Sequence, residues 1–322
     1  MALVGTDITE AVKYLDKGSL VAVPTETVYG LAGNALDTAV VAKIFEVKGR
    51  PAFDPLIVHI PDYQFMGRVA HEVPEAAAEL ARRLWPGPLT LVLPRRKIIP
   101  DLVTSGLDTV AIRVPNHPIT LELLQLLDYP LACPSANPFG YVSPTRASHV
   151  QQQLGDQIPY ILDGGPCEVG IESTIVGFDQ GKGVIYRPGG ITVENIEKII
   201  GKVIIKTSVS NPVTPGMLEN HYSPGKTLIL GSIKNLLGHY GDEKIAILTY
   251  RDIYPEVPED HQIQLSPAGD LKQAAQNLFA SLRKLDAMDI SYIFAEPVPN
   301  HGLGIAINDR LTRAATKLKS LR

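Results

Sequence analysis

The sequence predicts an α/β protein: a twisted, open mixed sheet with helices in a larger first domain, then a smaller Rossmann-like βαβ domain. Three observations predict it. Strand-like and helix-like segments alternate through the first 205 residues, too irregularly for strict βαβ repeats. Residues 205–225 interrupt that pattern with the Ser, Thr, Pro and Gly content of a linker. The 322 residues also exceed what one hydrophobic core usually holds. The expected division is 1–205, a linker at 206–225, and 226–322.

Each element has a local reason. Asp7-Ile-Thr-Glu10 reads as a capping box opening a short helix that closes near Lys17-Gly18. Ser19–Val23 is an apolar strand running into Pro24. Residues 38–47 have helical apolar spacing, with Gly49 as stop and Pro51 just beyond. Helices are expected at 74–84, 119–127 and 145–154, the last capped by Thr145 and ended by Gly155. Strands are expected at 89–93, 109–114, 131–133, 158–162, 173–176 and 183–186. In the second domain, strands at 227–230, 244–248 and 292–295 are covered by helices at about 269–288 and 308–321.

Composition narrows the class. The chain is 45% hydrophobic and 20% charged, an ordinary globular profile and too apolar for disorder. Residues 1–205 carry 17 Lys+Arg against 22 Asp+Glu, and residues 226–322 carry 12 against 11. Neither half is basic, so stable binding to a nucleic-acid backbone is not expected. No run of 18 uncharged apolar residues exists, and no membrane association is expected. The N-terminus lacks a basic n-region, and two cysteines make neither a disulfide framework nor a cysteine zinc site. The expected location is cytoplasmic.

The familiar nucleotide and hydrolase signatures are absent: no phosphate-binding G-x-x-x-x-G-K-[ST] loop, G-x-G-x-x-G, G-x-S-x-G or H-E-x-x-H. Four polar clusters stand at strand or helix ends instead. Pro24-Thr-Glu-Thr-Val-Tyr-Gly30 offers hydroxyls, a carboxylate and a phenol to a small polar ligand, or simply makes a turn. Lys48 and Arg50 flank Gly49 at a helix exit, placed to grip phosphates or to complement the helix dipole, and free of any packed face. His59 ends an apolar strand. Thr109, Ala111 and Arg113 share one strand face, so Arg113 needs an anionic ligand or a buried acid as partner. Cys133-Pro-Ser-Ala-Asn137 presents Ser135 and Asn137 past a short strand, and Ser143-Pro-Thr145 opens the next helix. Arg187 before Pro-Gly-Gly190 is a turn arginine or a second phosphate clamp. Four cations beside hydroxyls and amides in an acidic half imply an anionic ligand, most simply a nucleoside triphosphate, handled by positioning and charge stabilisation.

These same residues resemble the YrdC-like family, in its two-domain Sua-type branch, the threonylcarbamoyl-AMP synthases. The matching segments are Pro24–Leu31, Lys48–Pro51 with Pro55-Leu56 and His59, Trp85–Thr90, Thr109–Pro115, Ser135–Asn137, Gly170–Val176 and Arg187–Gly189. Pro215-Gly-Met217, His221-Tyr-Ser-Pro224 and the C-terminal domain resemble the Sua-type form. The resemblance implies a YrdC-like catalytic domain and a nucleotidyltransferase that condenses L-threonine, bicarbonate and ATP into threonylcarbamoyl-AMP and pyrophosphate, usually with Mg2+. The product would pass to a tRNA threonylcarbamoyl transferase for N6-threonylcarbamoyladenosine formation.

By the same matching, Lys48, Arg50, Ser135 and Asn137 carry the catalytic pattern. Thr27, His59, Arg113, Cys133 and Ser173 are expected to contact threonine. Arg50, Asp54, Thr109, Ser135, Ser143, Arg187, His221 and Tyr222 are expected to contact ATP. No resident metal site is expected. Asp54 stands where many relatives carry Asn, and an acid beside phosphates either binds Mg2+ or weakens the contact. Two other classes compete: an RNA-binding or ribosome-maturation factor using the same cationic cleft, and an adenylate-forming enzyme acting on another amino acid.

A carbamate decomposes readily in water, so the linker is expected to act as a lid. Deleting 206–225 is expected to cripple pyrophosphate release, and undiminished release would sink the lid role.

Overall fold

The computed structural model describes residues 1–206, 222–240 and 243–315. The expected linker, 206–225, therefore lies largely outside the described residues. The described chain forms two compact units: residues 1–139, 144–168 and 172–206 in the first, and 140–143, 169–171, 222–240 and 243–315 in the second.

The first unit runs β1 (Leu3–Gly5), α1 (Ile8–Asp16), β2 (Val21–Val23), β3 (Gly30–Asn34), α2 (Thr38–Lys48), β4 (Ile57–His59), α3 (Met66–Val69), α4 (Glu75–Leu84), β5 (Leu89–Pro94) and α5 (Asp101–Thr104). It continues through β6 (Thr109–Arg113), α6 (Pro118–Leu126), β7 (Leu131–Ala132), α7 (Ala147–Leu154), β8 (Tyr160–Leu162), β9 (Thr174–Asp179), β10 (Lys182–Arg187), α8 (Val193–Ile200) and β11 (Ile204–Ile205). The strands make one mixed sheet in the order β1-β8-β2-β3-β7-β4-β6-β5-β9-β10-β11. The mixed α/β architecture read from the sequence is thus present.

Period-two alternation gives the sheet two different faces. Val58, Leu91, Leu93, Val110, Ile112, Val176 and Ile185 point to one face. There they join Val40, Val41 and Ile44 of α2, Ala77, Leu80 and Ala81 of α4, and Val103 of α5 in the main core. The opposite face carries a small cluster of Ile57, Ala111 and Ile175, with Val92 and Tyr186 packed on it, and a larger one in which Val21, Val23, Ala32, Leu131, Tyr160 and Leu162 meet Ala11 and Leu15 of α1 and Leu123 and Leu124 of α6. Parallel β4 and β6 pair Ile57 with Ala111 and His59 with Arg113. His59 and Arg113 therefore continue the second face, where His59 also pairs with Leu131 of β7.

Local differences from the sequence reading have physical causes. Asp7 caps α1, accepting from Thr9 N at 2.9 Å, but Glu10 does not complete the box. The Asp7 N–H donates to Tyr160 Oη at 3.1 Å, and Glu10 pairs with Lys13. Helix α7 begins at Ala147 rather than Thr145. No side-chain oxygen caps it, and the Thr145 N–H donates to His149 Nδ1 at 3.2 Å. β1, β3, α3, α5 and β11 escaped sequence reading because they are short or glycine-containing, and α8, capped by Thr192, was missed although its pattern is helical.

The second unit has β12 (Thr227–Leu230), α9 (Ile233–His239), β13 (Ile245–Thr249), β14 (Gln262–Gln264), α10 (Leu271–Asp286), β15 (Tyr292–Ala295) and α11 (Leu303–Ala314). Its four strands are all parallel, in the order β12-β15-β13-β14, as the βαβ reading requires. α9 and β14 were not expected from the sequence. α11 starts five residues earlier than the pattern suggested, after Gly302 at φ 53°, and buries Ala306, Ile307, Arg310, Leu311 and Ala314.

Gly189 sits where a Cβ would run into the backbone of Glu172, Ser173 and Thr174. Gly67 has open space. Gly189→Ala is expected to cost roughly 1–3 kcal/mol from overpacking, whereas Gly67→Ala stays near neutral. Equal urea midpoints for the two variants would contradict this packing.

Candidate active site

Gly49 adopts the left-handed cap of α2 at φ 60°, a conformation that favours glycine. That turn carries both flanking cations inward. Lys48 and Arg50 are only 3% and 8% exposed, which corrects the expectation that a helix exit leaves them free of packing. Lys48 Nζ donates to the carbonyl oxygens of Ser135 at 2.5 Å and Asn137 at 2.6 Å. Phe139 N donates back to Lys48 O at 2.7 Å. Lys48 thus ties the loop after β7 to the end of α2, and this holds half-buried Ser135 and buried Asn137 in place. Burial, reinforced by neighbouring Arg50, holds the Lys48 amine well below its usual range.

Arg50 Nε donates to Asp54 O at 2.9 Å and Nη2 to Pro55 O at 2.7 Å, while Nη2 also pairs with Asp54 Oδ2 at 2.9 Å. Asp54 is fully buried, and burial raises its carboxyl against the opposing pull of Arg50, Lys48 and Arg187. Three cations around one carboxylate leave an excess of positive charge. Arg187, at the end of β10, donates from Nε and Nη2 to Ser173 O at 3.1 and 3.0 Å, and from Nη2 to Ser173 Oγ at 3.1 Å. Ser173 Oγ also lies 2.7 Å from Thr90 Oγ1.

The second group centres on Arg113. Its Nη1 donates to Thr27 Oγ1 at 2.9 Å, and its Nη2 stands 2.7 Å from Glu26 Oε2. Of the two partners the strand position allowed, the buried acid is present. Thr25 Oγ1 braces the turn, donating to Val28 O at 2.6 Å and receiving Thr27 N at 3.1 Å. His59, beside Arg113, is 3% exposed. Burial, and next the Arg113 charge, drive its pKa from 6.5 to about 3, so the ring is neutral. Its Nδ1 has no hydrogen-bond partner among the described residues. Cys133 follows β7, and burial pushes its thiol up to about 12.

Not every expected residue joins these groups. Thr109 lies on the Arg113 face but at the far end of β6, roughly 13 Å away at 3.3 Å per strand residue. Ser143 and Tyr222 belong to the second unit. There Ser143 O receives Arg283 Nε at 3.3 Å, and the buried Tyr222 ring stacks on Phe279 at 5.6 Å with the Arg310 guanidinium 5.1 Å from its centre. His221 lies outside the described residues.

The family described as "Telomere recombination", the Sua5–YciO–YrdC family, matches residues 13–189. The family described as "Threonylcarbamoyl-AMP synthase, C-terminal domain" matches residues 191–316. A threonylcarbamoyl-AMP synthase from Pyrococcus abyssi is 41% identical, covering 95% of this chain and 93% of the relative. The chain belongs to the threonylcarbamoyl-AMP synthase family. The synthase of the same name from Bacillus subtilis is also 41% identical, over 96% of this chain and 92% of its own length. The crystal structure of P. abyssi Sua5 complexed with L-threonine superposes with a TM-score of 0.90 at 41% identity, covering 96% and 94% of the two chains.

Against that family background, the sequence reading missed several members of the site. Glu26 was visible as a carboxylate in the Pro24–Gly30 motif, but nothing in the motif marked it as the acid facing Arg113. Thr90 and Cys167 gave no local signal. Cys167 is buried, and its thiol is pushed up to about 12 by burial and then by Glu26. With neutral thiols and a neutral His59, neither the two cysteines nor this histidine is an activated nucleophile. Among the described residues, no three His, Cys, Asp or Glu side chains group to hold a metal, and no helix is long and apolar enough to cross a membrane.

The depressed His59 pKa has a testable sign. Between 6.5 and about 3 the unfolded chain binds a proton that the folded chain refuses, so stability falls as pH falls. From pH 7 to pH 5 this one group is expected to remove about 2 kcal/mol. His59→Asn is expected to lose less stability over that interval by about the same amount, measured from urea midpoints. Parallel pH dependences would contradict a buried neutral imidazole.

Proposed function

We propose that this chain condenses L-threonine, bicarbonate and ATP into threonylcarbamoyl-AMP and pyrophosphate. The observation that carries the reading is a pair of buried charge groups: a cation-rich one around Asp54, and the Arg113–Glu26 pair beside neutral His59. The first suits a polyphosphate, the second an amino acid.

In this reading Arg113 takes the threonine carboxylate, with Thr27, His59, Cys133 and Ser173 shaping the rest of its pocket. Lys48, Arg50 and Arg187 face the phosphates, Ser135 and Asn137 line the loop that Lys48 fixes, and Thr109 meets the far end of the nucleotide. The threonine nitrogen bonds to the bicarbonate carbon, releasing water and a proton and giving a carbamate. A carbamate oxygen then attacks the α-phosphorus, the bond to the bridging oxygen of the β-phosphate breaks, and pyrophosphate leaves. Fixed guanidinium groups stabilise the charge that gathers on the phosphoryl oxygens without reorganising, with Lys48 as a further donor.

Magnesium would come as counter-ion of the triphosphate, neutralising part of its charge. One carboxylate with phosphate oxygens and water is an ordinary shell for it, and Asp54, whose buried oxygens accept no hydrogen bond among the described residues, is the carboxylate present. The product would pass to a tRNA threonylcarbamoyl transferase, and the location that fits is the cytoplasm.

Pyrophosphate release from ATP is expected only when threonine and bicarbonate are both present. Release with neither, or only with a different amino acid, would reject the reading.

A further inference from the structure

Glu26 is 4% exposed, and neither carboxylate oxygen accepts a hydrogen bond among the described residues. Its one ion-pair partner there is Arg113 Nη2, in a contact that lacks hydrogen-bond alignment. Arg113 Nε likewise has no hydrogen-bond partner among the described residues, although Arg113 is 4% exposed. Buried polar groups are nearly always satisfied, so unused capacity on two adjacent, oppositely charged groups points to a ligand that completes both.

Charge decides what that ligand is. Arg113 and Glu26 together are neutral, so a purely anionic ligand would gain from the guanidinium and lose to the carboxylate at the same spot. A zwitterion gains from both. In an α-amino acid the ammonium nitrogen is two bonds from the carboxylate carbon. A carboxylate taken by the unpaired Nε of Arg113 therefore brings its ammonium toward Glu26, whose Oε2 stands 2.7 Å from Nη2 of the same guanidinium.

We propose that Glu26 is the ligand of the threonine α-ammonium, forming with Arg113 a two-charge clamp that selects amino acids over plain carboxylates. The proposal rests on the functional reading above, in which Arg113 takes the threonine carboxylate. Glu26 is buried with Arg113 in the free protein, and the zwitterion replaces a poorly aligned contact with two directed, charge-assisted ones.

Calorimetric titration with L-threonine and with 3-hydroxybutyrate, which is threonine without its amino group, tests the clamp. The unaltered protein is expected to bind threonine at least tenfold more tightly than 3-hydroxybutyrate. Glu26→Gln is expected to weaken threonine roughly 10- to 100-fold, as for loss of a hydrogen bond to a charged group. It is expected to leave 3-hydroxybutyrate unchanged or slightly tighter, and Glu26→Asp should restore part of the preference. Equal weakening of both ligands would mean a merely structural role and overturn the proposal. Equal affinity of the unaltered protein for the two ligands would overturn it without any variant. Failure to bind threonine at all would overturn the functional reading with it, whereas threonine binding without ammonium preference overturns the clamp alone.

Discussion

Burying a charge costs several kcal/mol unless a partner and hydrogen bonds offset the lost hydration. This chain buries Lys48, Arg50, Asp54, Glu26, Arg113 and Arg187 within its first unit. The fold makes that tolerable by assigning internal partners. Lys48 holds two loop carbonyls, Arg50 holds Asp54 and Pro55, Arg187 holds Ser173, and Arg113 holds Thr27 against Glu26. The same contacts fix the loops after α2, β2 and β7, so the site and the local fold share one set of interactions. The apolar clusters on the two sheet faces supply the stability that these polar groups cannot.

The groups that stay neutral are as informative as the charged ones. Cys133 and Cys167 are held as thiols, and His59 as a neutral imidazole, by burial. A site that combines fixed cations with unreactive thiols and an uncharged histidine is suited to orient two reactants and stabilise charge on phosphate. Neither thiol nor this imidazole is suited to form a covalent bond with the substrate itself. That division matches the chemistry of an amino-acid carbamate attacking a nucleotide phosphorus directly.

Much of this was legible in the chain. The alternation at Thr109, Ala111 and Arg113 placed a cation on a strand face and required an anion for it, and the structure supplies Glu26. Gly49 announced the cap that turns α2 into the Lys48–Arg50 corner. Linear sequence could not reveal that this corner points inward, because burial depends on the distant loop carbonyls of Ser135 and Asn137. β3 was hidden by its two glycines. The 147 start of α7 was hidden because a histidine one turn on receives the N–H of Thr145, whose own side chain was expected to provide the cap. Net charge described the surface of an acidic unit and concealed the buried cations inside it.

Exchange of labelled pyrophosphate into ATP tests the central claim, that fixed buried charges drive direct transfer with no covalent bond to the protein. The account predicts exchange only when threonine and bicarbonate are both present. Exchange with ATP and pyrophosphate alone would show that a side chain is itself adenylylated, and would contradict it.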